Sequence, residues 1–399
     1  MTRIVPFVLS VALLAVSCSG SEQPAAVPVS SRIGANGWPM FRFDPTRSGT
    51  TGDATGHPEL AWRFDTGDVV ESSPAVVDGV LYIGTFGRRL HALDAASGAE
   101  LWTFSVGGLL RASPTVVDGV VYFGADDDLF YAVDAVTGEE RWRFALGRGG
   151  EQSSAAVSDG IVWFGAFDGN VYALDAVSGT EVWRFPTGGG ILSSPLVLDD
   201  IIVIGSIDGN VYALDAATGA EVWRYPTGGP VLSSPATADG VVVFGSDDGR
   251  VHAVAADSGT PRWSVETAAP VFATPAIADG VVYVGSRDGS FLAIELASGR
   301  LLWSTELVEI LSSAAVTGER VYVGSSDGHL YVLDRADGTT LTRLPVGDLV
   351  WTSPAVIDGW LFFGAHDDQV HAYRLDGRGS GGSGTTGKPE PSFREERAW

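Results

Sequence analysis

Short apolar runs alternate with aspartate- and glycine-rich pairs along most of the chain. In residues 193–227 the runs read SSPLVLDD, IIVIGSID, GNVYALDAATG and AEVWRYPTG, and each run suits one strand. Asp-Gly pairs such as Asp78-Gly79 tolerate the positive φ that a two-residue hairpin requires. The Asp-x-x-Ser/Thr-Gly turns, as at Asp215, can satisfy their own backbone amides through the aspartate. The pattern predicts a four-stranded antiparallel unit.

This unit recurs about every 40 residues, marked by a tryptophan in the outer strand and a glycine that closes an apolar run. The markers are Trp62, Trp102, Trp142, Trp183, Trp223, Trp263 and Trp303, with Thr342 in a degenerate copy, and Gly84, Gly124, Gly165, Gly205, Gly245, Gly285, Gly324 and Gly364. Because an open stack would expose strand edges, we predict an all-β, eight-bladed β-propeller of four-stranded blades. The N-terminal strand, residues 60–64, completes the last blade, residues 353–373.

The two ends of the chain differ from the repeats. Residues 1–18 combine a basic start, a short apolar run and small residues before Cys18, which indicates a lipoprotein-type signal peptide. Cys18 is the only cysteine, and AVSC resembles a bacterial lipobox, so acylation of Cys18 is predicted; a plain signal peptide cleaved nearby is the alternative. We expect residues 19–37 to be a tether and residues 38–375 to form the propeller, with residues 38–43 packed across one face. The composition of residues 376–399, rich in Gly and Ser and then charged, predicts a disordered tail.

Charge narrows the choice of partners. The formal net charge is −24, whereas affinity for nucleic acid comes mainly from Lys and Arg, so a nucleic-acid partner is not expected. The predicted protein is an exported, monomeric propeller. If Cys18 is acylated, the lipid anchor is expected to hold the protein on the periplasmic or extracellular side of a bacterial membrane.

The repeat has a family resemblance. The segment GSIDGNVYALDAATGAEVWRYPTG and its seven relatives resemble the quinoprotein-type repeat of pyrroloquinoline quinone (PQQ) dehydrogenases and of the propeller lipoprotein in the bacterial outer-membrane β-barrel assembly machine. Resemblance to the dehydrogenases implies a quinone beside a disulfide between adjacent cysteines, with calcium and a catalytic Asp. No cysteine follows Cys18, and the short loops leave no insertion for a cofactor chamber, so no cofactor and no metal site are expected. Resemblance to the lipoprotein implies scaffolding without catalysis.

Two rings of residues are expected on one face, because neighbouring antiparallel strands begin and end there. The inner ring comprises Glu71, Arg111, Gln152, Leu192, Leu232, Phe272, Leu311 and Trp351, and the second ring comprises Phe86, Asp126, Phe167, Ile207, Asp247, Arg287, Ser326 and His366. In both rings the residue type changes from blade to blade, whereas the turn residues and the tryptophans are nearly the same in every unit. We therefore predict that Trp351, Glu71, Arg111, Gln152, Asp126 and His366 converge near the axis and contact a ligand or partner loop. The alternative is a set of solvated loop residues with an Arg111–Glu71 or Arg111–Asp126 ion pair.

Three functional hypotheses follow. The leading one is a noncatalytic binding or scaffolding propeller of the cell envelope that engages protein partners through this face. The rival is a PQQ-dependent dehydrogenase or PQQ-binding protein, with calcium; a weaker third is sugar binding through Trp351, Trp163 or Trp360. His366 has no accompanying nucleophile in the sequence pattern, so no catalytic residue is predicted. His91, His252 and His371 replace the Tyr of the VYALD strand and are expected to pack in the core.

Overall fold

The structure, a computed structural model, describes residues 37, 39–42, 44, 49, 56–147, 150 and 153–375. Every regular element in these residues is a β-strand. The first sixteen are β1 (Glu59–Asp65), β2 (Ala75–Val77), β3 (Val80–Thr85), β4 (Arg89–Asp94), β5 (Glu100–Ser105), β6 (Thr115–Val117), β7 (Val120–Ala125), β8 (Leu129–Asp134), β9 (Glu140–Ala145), β10 (Ala156–Ser158), β11 (Ile161–Gly165), β12 (Asn170–Asp175), β13 (Glu181–Pro186), β14 (Leu196–Leu198), β15 (Ile201–Gly205) and β16 (Asn210–Asp215). The remainder are β17 (Glu221–Pro226), β18 (Ala236–Ala238), β19 (Val241–Ser246), β20 (Arg250–Ala255), β21 (Pro261–Glu266), β22 (Ala276–Ala278), β23 (Val281–Gly285), β24 (Ser290–Glu295), β25 (Leu301–Glu306), β26 (Ala315–Val316), β27 (Arg320–Gly324), β28 (His329–Asp334), β29 (Thr340–Pro345), β30 (Ala355–Ile357), β31 (Trp360–Gly364) and β32 (Gln369–Arg374).

These strands form eight antiparallel four-stranded sheets, the blades of a propeller. Blades 1 to 7 each use four consecutive strands, starting with β2–β5. Blade 8 has the order β1-β32-β31-β30, so the N-terminal strand completes the last blade. Its register runs from Glu59 opposite Arg374 to Asp65 opposite Gln369. The predicted architecture and closure are confirmed. Within the described part of the chain, no helix has the length and apolar character needed to cross a membrane.

The turns behave as the sequence predicts. Asp78 and Gly79 both have positive φ, 50° and 80°, in the hairpin between β2 and β3. In the turn after β16, the Asp215 carboxylate accepts hydrogen bonds from the Thr218 amide at 2.8 Å and the Thr218 hydroxyl at 2.6 Å. These hydrogen bonds lower the pKa of Asp215. The aspartates of these turns are structural.

The marker tryptophans join neighbouring blades. Trp223 of blade 4 is buried, and its Nε1 donates to the Ala256 carbonyl of blade 5 at 3.0 Å. Its ring covers Gly259, where an added Cβ would approach the ring to 2.7 Å. The other six tryptophans repeat the bond to the next blade. Blade 7 has Thr342 at this position and lacks the bond.

A closed circle of hydrogen bonds surrounds the axis. The Ser73 amide of blade 1 donates to Ser113 Oγ of blade 2 at 3.0 Å, and the same bond is repeated from blade to blade. The Ser353 amide of blade 8 donates to Ser73 Oγ at 2.9 Å and closes the circle. We call these eight residues the serine circle: Ser73, Ser113, Ser154, Ser194, Ser234, Thr274, Ser313 and Ser353.

The segment before the ring enters the axial channel instead of crossing a face. The Val116 amide, on the free edge of an inner strand, donates to the Pro39 carbonyl at 2.6 Å, and the Val316 amide donates to the Gly49 carbonyl at 2.9 Å. Arg42 is 1% exposed and donates to the carbonyls of Ala314 and Pro275. The prediction that residues 38–43 pack across one face is corrected for the described residues 39–42, because the inner-strand edges offer amides that only the channel makes accessible.

Candidate functional site

The inner ring lines one end of the axial channel. Each of its members directly precedes the Ser-Ser or equivalent pair that leads into an inner strand, so the serine circle below holds it in place. The resulting cavity has a volume of about 170 Å³, and Phe41 of the channel segment also lines it. The inner-ring residues that line the cavity are Glu71, Arg111, Leu192, Leu232, Phe272, Leu311 and Trp351. We call the face where this cavity opens the loop face.

Polar side chains collect where blades 8, 1 and 2 meet. Trp351 and His366 pack edge to face with ring centroids 4.6 Å apart, and the Trp351 indole donates to Ser326 Oγ at 2.9 Å. On its other side, His366 Nε2 lies 3.4 Å from a Glu71 carboxylate oxygen. The tryptophan and the carboxylate therefore flank the imidazole in a contact that spans two blades.

Arg111 continues this cluster into blade 2. Its Nε lies 3.9 Å from Glu71 and 3.8 Å from Asp126, within ion-pair range of both carboxylates but too far for a hydrogen bond to either. The guanidinium also lies over the Phe86 ring, 5.2 Å from its centroid. We call Trp351, His366, Glu71, Arg111 and Asp126 the polar cluster.

Several polar atoms of the cluster are buried without a hydrogen-bond partner among the described residues. They are Arg111 Nε, Asp126 Oδ1 and His366 Nε2. Burial raises the pKa of Asp126, and Arg111 opposes that rise. Unpaired buried donors and acceptors cost free energy in an isolated fold, so this arrangement is suited to a partner that supplies the missing hydrogen bonds.

The other side of the ring is mainly apolar. Leu192, Leu232, Phe272 and Leu311 line the cavity opposite the polar cluster, and Phe167 of the second ring is 44% exposed. Arg287 covers the Phe272 ring at 5.1 Å and pairs with Glu309 at 2.7 Å. The inner ring therefore has a charged half and an apolar half around one axis, with the Arg287–Glu309 ion pair above the apolar half.

The structure brings together five of the six residues that the sequence predicted to converge. Gln152 and the predicted lipidation site Cys18 lie outside the described residues. Both ion pairs of the alternative reading, Arg111–Glu71 and Arg111–Asp126, are present but long. Sequence reasoning missed Phe41, which carries no repeat signal, and Ser326 as the partner of Trp351, although both rings were identified.

The remaining aromatic candidates serve the core. Trp163 and Trp360 are 3% and 5% exposed, so neither offers a ring face to a sugar. His91, His252 and His371 are buried as predicted. Two of them also pair with the aspartate four residues earlier, since His252 Nε2 lies 3.0 Å from Asp248 and His371 Nε2 lies 2.9 Å from Asp367.

The residues of the cavity do not fit PQQ. PQQ is a planar tricyclic tricarboxylate, and pockets for molecules of this size usually measure about 300 Å³ or more, which exceeds the 170 Å³ available. Arg111 is the single cationic side chain among the described residues that line the cavity, and two carboxylates already flank it. In the described ranges, no three His, Cys, Asp or Glu side chains are grouped to hold a metal ion.

Repeated four-stranded blades joined by tryptophans define a propeller built from PQQ-like repeats. The family model described as outer membrane protein assembly factor BamB matches residues 53–165, 130–234, 167–307 and 207–349, together more than half of the sequence. The chain belongs to this family. Among curated proteins, none matches the sequence.

Solved structures share the fold at low identity. BamB from Moraxella catarrhalis is 20% identical with a TM-score of 0.71, over 80% of this chain and 100% of that one. The computationally designed Ika8 protein is 21% identical with a TM-score of 0.72, over the same shares. The quinohemoprotein alcohol dehydrogenase ADHIIG from Pseudomonas putida HK5 is 18% identical with a TM-score of 0.76, over 91% of this chain and 82% of that one. At these identities the likeness shows the fold alone.

Proposed function

We propose that this protein is a noncatalytic scaffolding propeller of the bacterial cell envelope that binds a protein partner through its loop face. The polar cluster carries the proposal, because it gathers buried donors and acceptors without hydrogen-bond partners among the described residues beside an apolar half-ring. A peptide segment with main-chain amides and carbonyls, apolar side chains and a basic residue matches this surface. The protein acts without a resident cofactor.

Family membership supports a partner in outer-membrane protein assembly, since the matching model is described as an assembly factor. The export signal and the acylation of Cys18, both predicted from the sequence, would place the protein in the envelope. Cys18→Ser is expected to abolish incorporation of labelled palmitate and to release the protein from the membrane fraction. Unchanged labelling and fractionation would contradict the lipid anchor and leave the loop-face proposal untouched.

Site-specific photocrosslinking in the native envelope tests the binding face. A photoreactive residue at Leu232 or Leu311 is expected to capture one discrete envelope protein, and Arg111→Ala or Asp126→Ala in the same chain should reduce that product. The matched control places the photoreactive residue at Val177, which is 86% exposed on the opposite face. Equal capture from Val177, or capture insensitive to both substitutions, would refute the proposal.

Calorimetric titration with PQQ and calcium tests the rival enzyme directly. We expect no binding heat and no thermal shift. Micromolar binding that disappears in Arg111→Ala or Trp351→Ala would overturn the scaffold proposal and restore the quinone-dependent reading.

A further inference from the structure

The opposite face of the ring, which carries the Asp-Gly turns, has grooves between adjacent blades. We call it the turn face. In four blades a buried tyrosine on the second strand lies at the groove to the next blade: Tyr82, Tyr122, Tyr283 and Tyr322. A tryptophan of the same blade packs on three of these rings at centroid distances of 5.9 Å, namely Trp102, Trp142 and Trp303. The grooves therefore share an aromatic wall with a hydroxyl at its inner end.

Arg335 occupies the position beside Tyr283 in the groove between blades 6 and 7, and a volume of about 660 Å³ remains open around it. Its Nε donates to the Tyr283 hydroxyl at 3.0 Å, and Nη2 donates to Asp279 at 2.7 Å. The guanidinium lies 5.8 Å from the centroid of the Tyr283 ring, and the side chain is only 14% exposed. Nη1 also donates to the carbonyls of Thr317 and Gly318. This groove therefore accommodates an arginine side chain held by a tyrosine, an aspartate and two backbone carbonyls.

Two further grooves also have an arginine beside the tyrosine. Arg141 Nη2 donates to the Asp134 carboxylate at 2.8 Å and to the Gly119 carbonyl at 3.2 Å. Burial raises the pKa of Tyr122, and the positive charge of Arg141 opposes that rise. Arg320 likewise opposes the rise in the pKa of Tyr322. Three of the four tyrosines are thus accompanied by a cation from the chain itself.

The groove between blades 1 and 2 lacks such an arginine among the described residues. Ala135 occupies the repeat position of Arg335, and the Tyr82 hydroxyl donates to the Ala135 carbonyl at 3.0 Å. The open volume is about 500 Å³, lined by Tyr82, Trp102, Val136 and the aspartates Asp78 and Asp118. Burial raises the pKa of Tyr82 further above its usual range, and Asp78 and Asp134 add to the rise. The groove has the same walls as its counterpart and excess negative charge.

We propose that the groove between blades 1 and 2 on the turn face binds the guanidinium group of an arginine side chain from a protein partner. The planar cation lies against the partly buried Trp102 and donates to Asp78 and Asp118, as Arg335 donates to Asp279 in its own groove. The aliphatic stem covers Leu101 and Val136, so that burial of apolar surface adds to the charge attraction. This site is separate from the loop face and does not depend on the function proposed there.

The indole N–H signals of two tryptophans provide a local readout. Trp102 Nε1 donates to the Ala135 carbonyl and Trp303 Nε1 to the Arg335 carbonyl, each at 3.1 Å, so each indole reports on its own groove. The purified chain, labelled with ¹⁵N, is titrated with N-acetyl-arginine methylamide. We expect a saturable shift of the Trp102 signal and no shift of the Trp303 signal. The neutral isostere N-acetyl-citrulline methylamide is expected to leave both signals unchanged.

Exchanging the two repeat positions should exchange the two responses. Arg335→Ala removes the cation from beside Tyr283 and Asp279, so Trp303 should begin to respond to the probe. Ala135→Arg places the cation in the groove between blades 1 and 2, so the Trp102 response should disappear while the melting temperature is kept or raised. Asp78→Asn should weaken binding about threefold or more. The control is Asp239→Asn in blade 5, where Asp239 has the repeat position of Asp78 but Val243 replaces the tyrosine, and it should leave binding unchanged.

Two kinds of result would overturn the proposal. One is a Trp102 signal that does not shift saturably, or that shifts equally with citrulline. The other is a Trp303 response to the probe in the unaltered chain, which would show that Arg335 does not occupy its groove. Since Arg335→Ala is read at a different blade pair, a folding defect in Ala135→Arg leaves the test intact.

Discussion

At the scale of single residues, blades 4 and 5 differ at one buried strand position. Tyr212 of blade 4 donates to Asp208 at 2.7 Å, whereas in blade 5 His252 Nε2 lies 3.0 Å from Asp248. Burial lowers the pKa of His252, and Asp248 opposes this only in part. Between the lowered value and about 6.5, the unfolded chain binds a proton that the folded chain does not, so acid favours unfolding.

His252→Tyr should therefore reduce the loss of stability on acidification. In the unaltered protein, His252 is expected not to lower the free energy of unfolding above about pH 6.5. Below that pH, the free energy of unfolding should fall as the pH drops. Urea titrations at pH 7.5 and 5.5 measure the difference, and Tyr212→His should enlarge it. An identical pH dependence in all three proteins would contradict the assignment. His91, whose pKa burial also lowers, accounts for part of the dependence that remains.

Asp126 is expected to contribute to partner binding without stabilising the fold. Burial raises its pKa, so the ionised carboxylate is less favourable in the fold than in the unfolded chain, and Glu71 remains to neutralise Arg111. Asp126→Asn should leave the free energy of unfolding unchanged or raise it by less than about 1 kcal/mol at pH 7. The same substitution should reduce the loop-face crosslink. Clear destabilisation in a urea titration would indicate a structural role instead.

At the scale of elements, blade 5 lacks one turn aspartate. The turn after β20 forms around Ala255, whose carbonyl accepts from the Gly259 amide at 2.9 Å, but no carboxylate is present to accept from Ser258. In blade 3, Asp175 accepts from both the amide and the hydroxyl of Ser178, at 2.7 and 2.8 Å. The backbone turn therefore forms without the aspartate, which only adds stability.

Ala255→Asp should restore the missing bonds. We expect the free energy of unfolding to rise by about 1 kcal/mol above pH 5, with the gain lost as the carboxylate protonates in acid. Asp175→Ala is the matched reverse change and should lower stability. A urea titration of both variants measures the effect, and a destabilised Ala255→Asp would show that blade 5 cannot place a carboxylate at this turn.

At the scale of the whole molecule, ring closure depends on contacts of different kinds. Strand β1 completes blade 8, and the serine circle passes from Ser353 back to Ser73 across 280 residues of sequence. The junction of blades 7 and 8 has no tryptophan bond, because Thr342 stands at that position. The serine circle is therefore expected to account for a larger share of the stability at this junction than at the other junctions between blades.

Ser353→Ala tests that contribution. It removes the acceptor of the buried Ser313 amide, 3.1 Å away, and should cost about 1–3 kcal/mol in the free energy of unfolding. Ser353→Thr keeps the hydroxyl, as Thr274 does in blade 6, and should cost much less. Urea unfolding of both variants makes the comparison, and equal losses would assign the effect to packing instead of the hydrogen bond.

Local pattern alone determined the blade count, the strands, the turns and the closure by β1. These depend on short apolar runs, turn residues such as Asp-Gly, and the spacing of the tryptophans, which recur from unit to unit along the chain. The same alignment of units placed Glu71, Arg111, Asp126, Trp351 and His366 at one end of the axis. Repeat position predicts where a side chain lies, since every blade has the same backbone.

Only the tertiary structure decided what those side chains contact. Arg111 stands too far from Glu71 and Asp126 for hydrogen bonds. Arg335 bonds Tyr283 in one groove, whereas no arginine among the described residues lines the equivalent groove beside Tyr82. Residues 39–42 have no repeated copy, so nothing in the sequence indicated that Phe41 would reach the loop-face cavity. These features depend on rotamers and on contacts between blades, which exist only after the ring has closed and brought distant segments within a few ångströms.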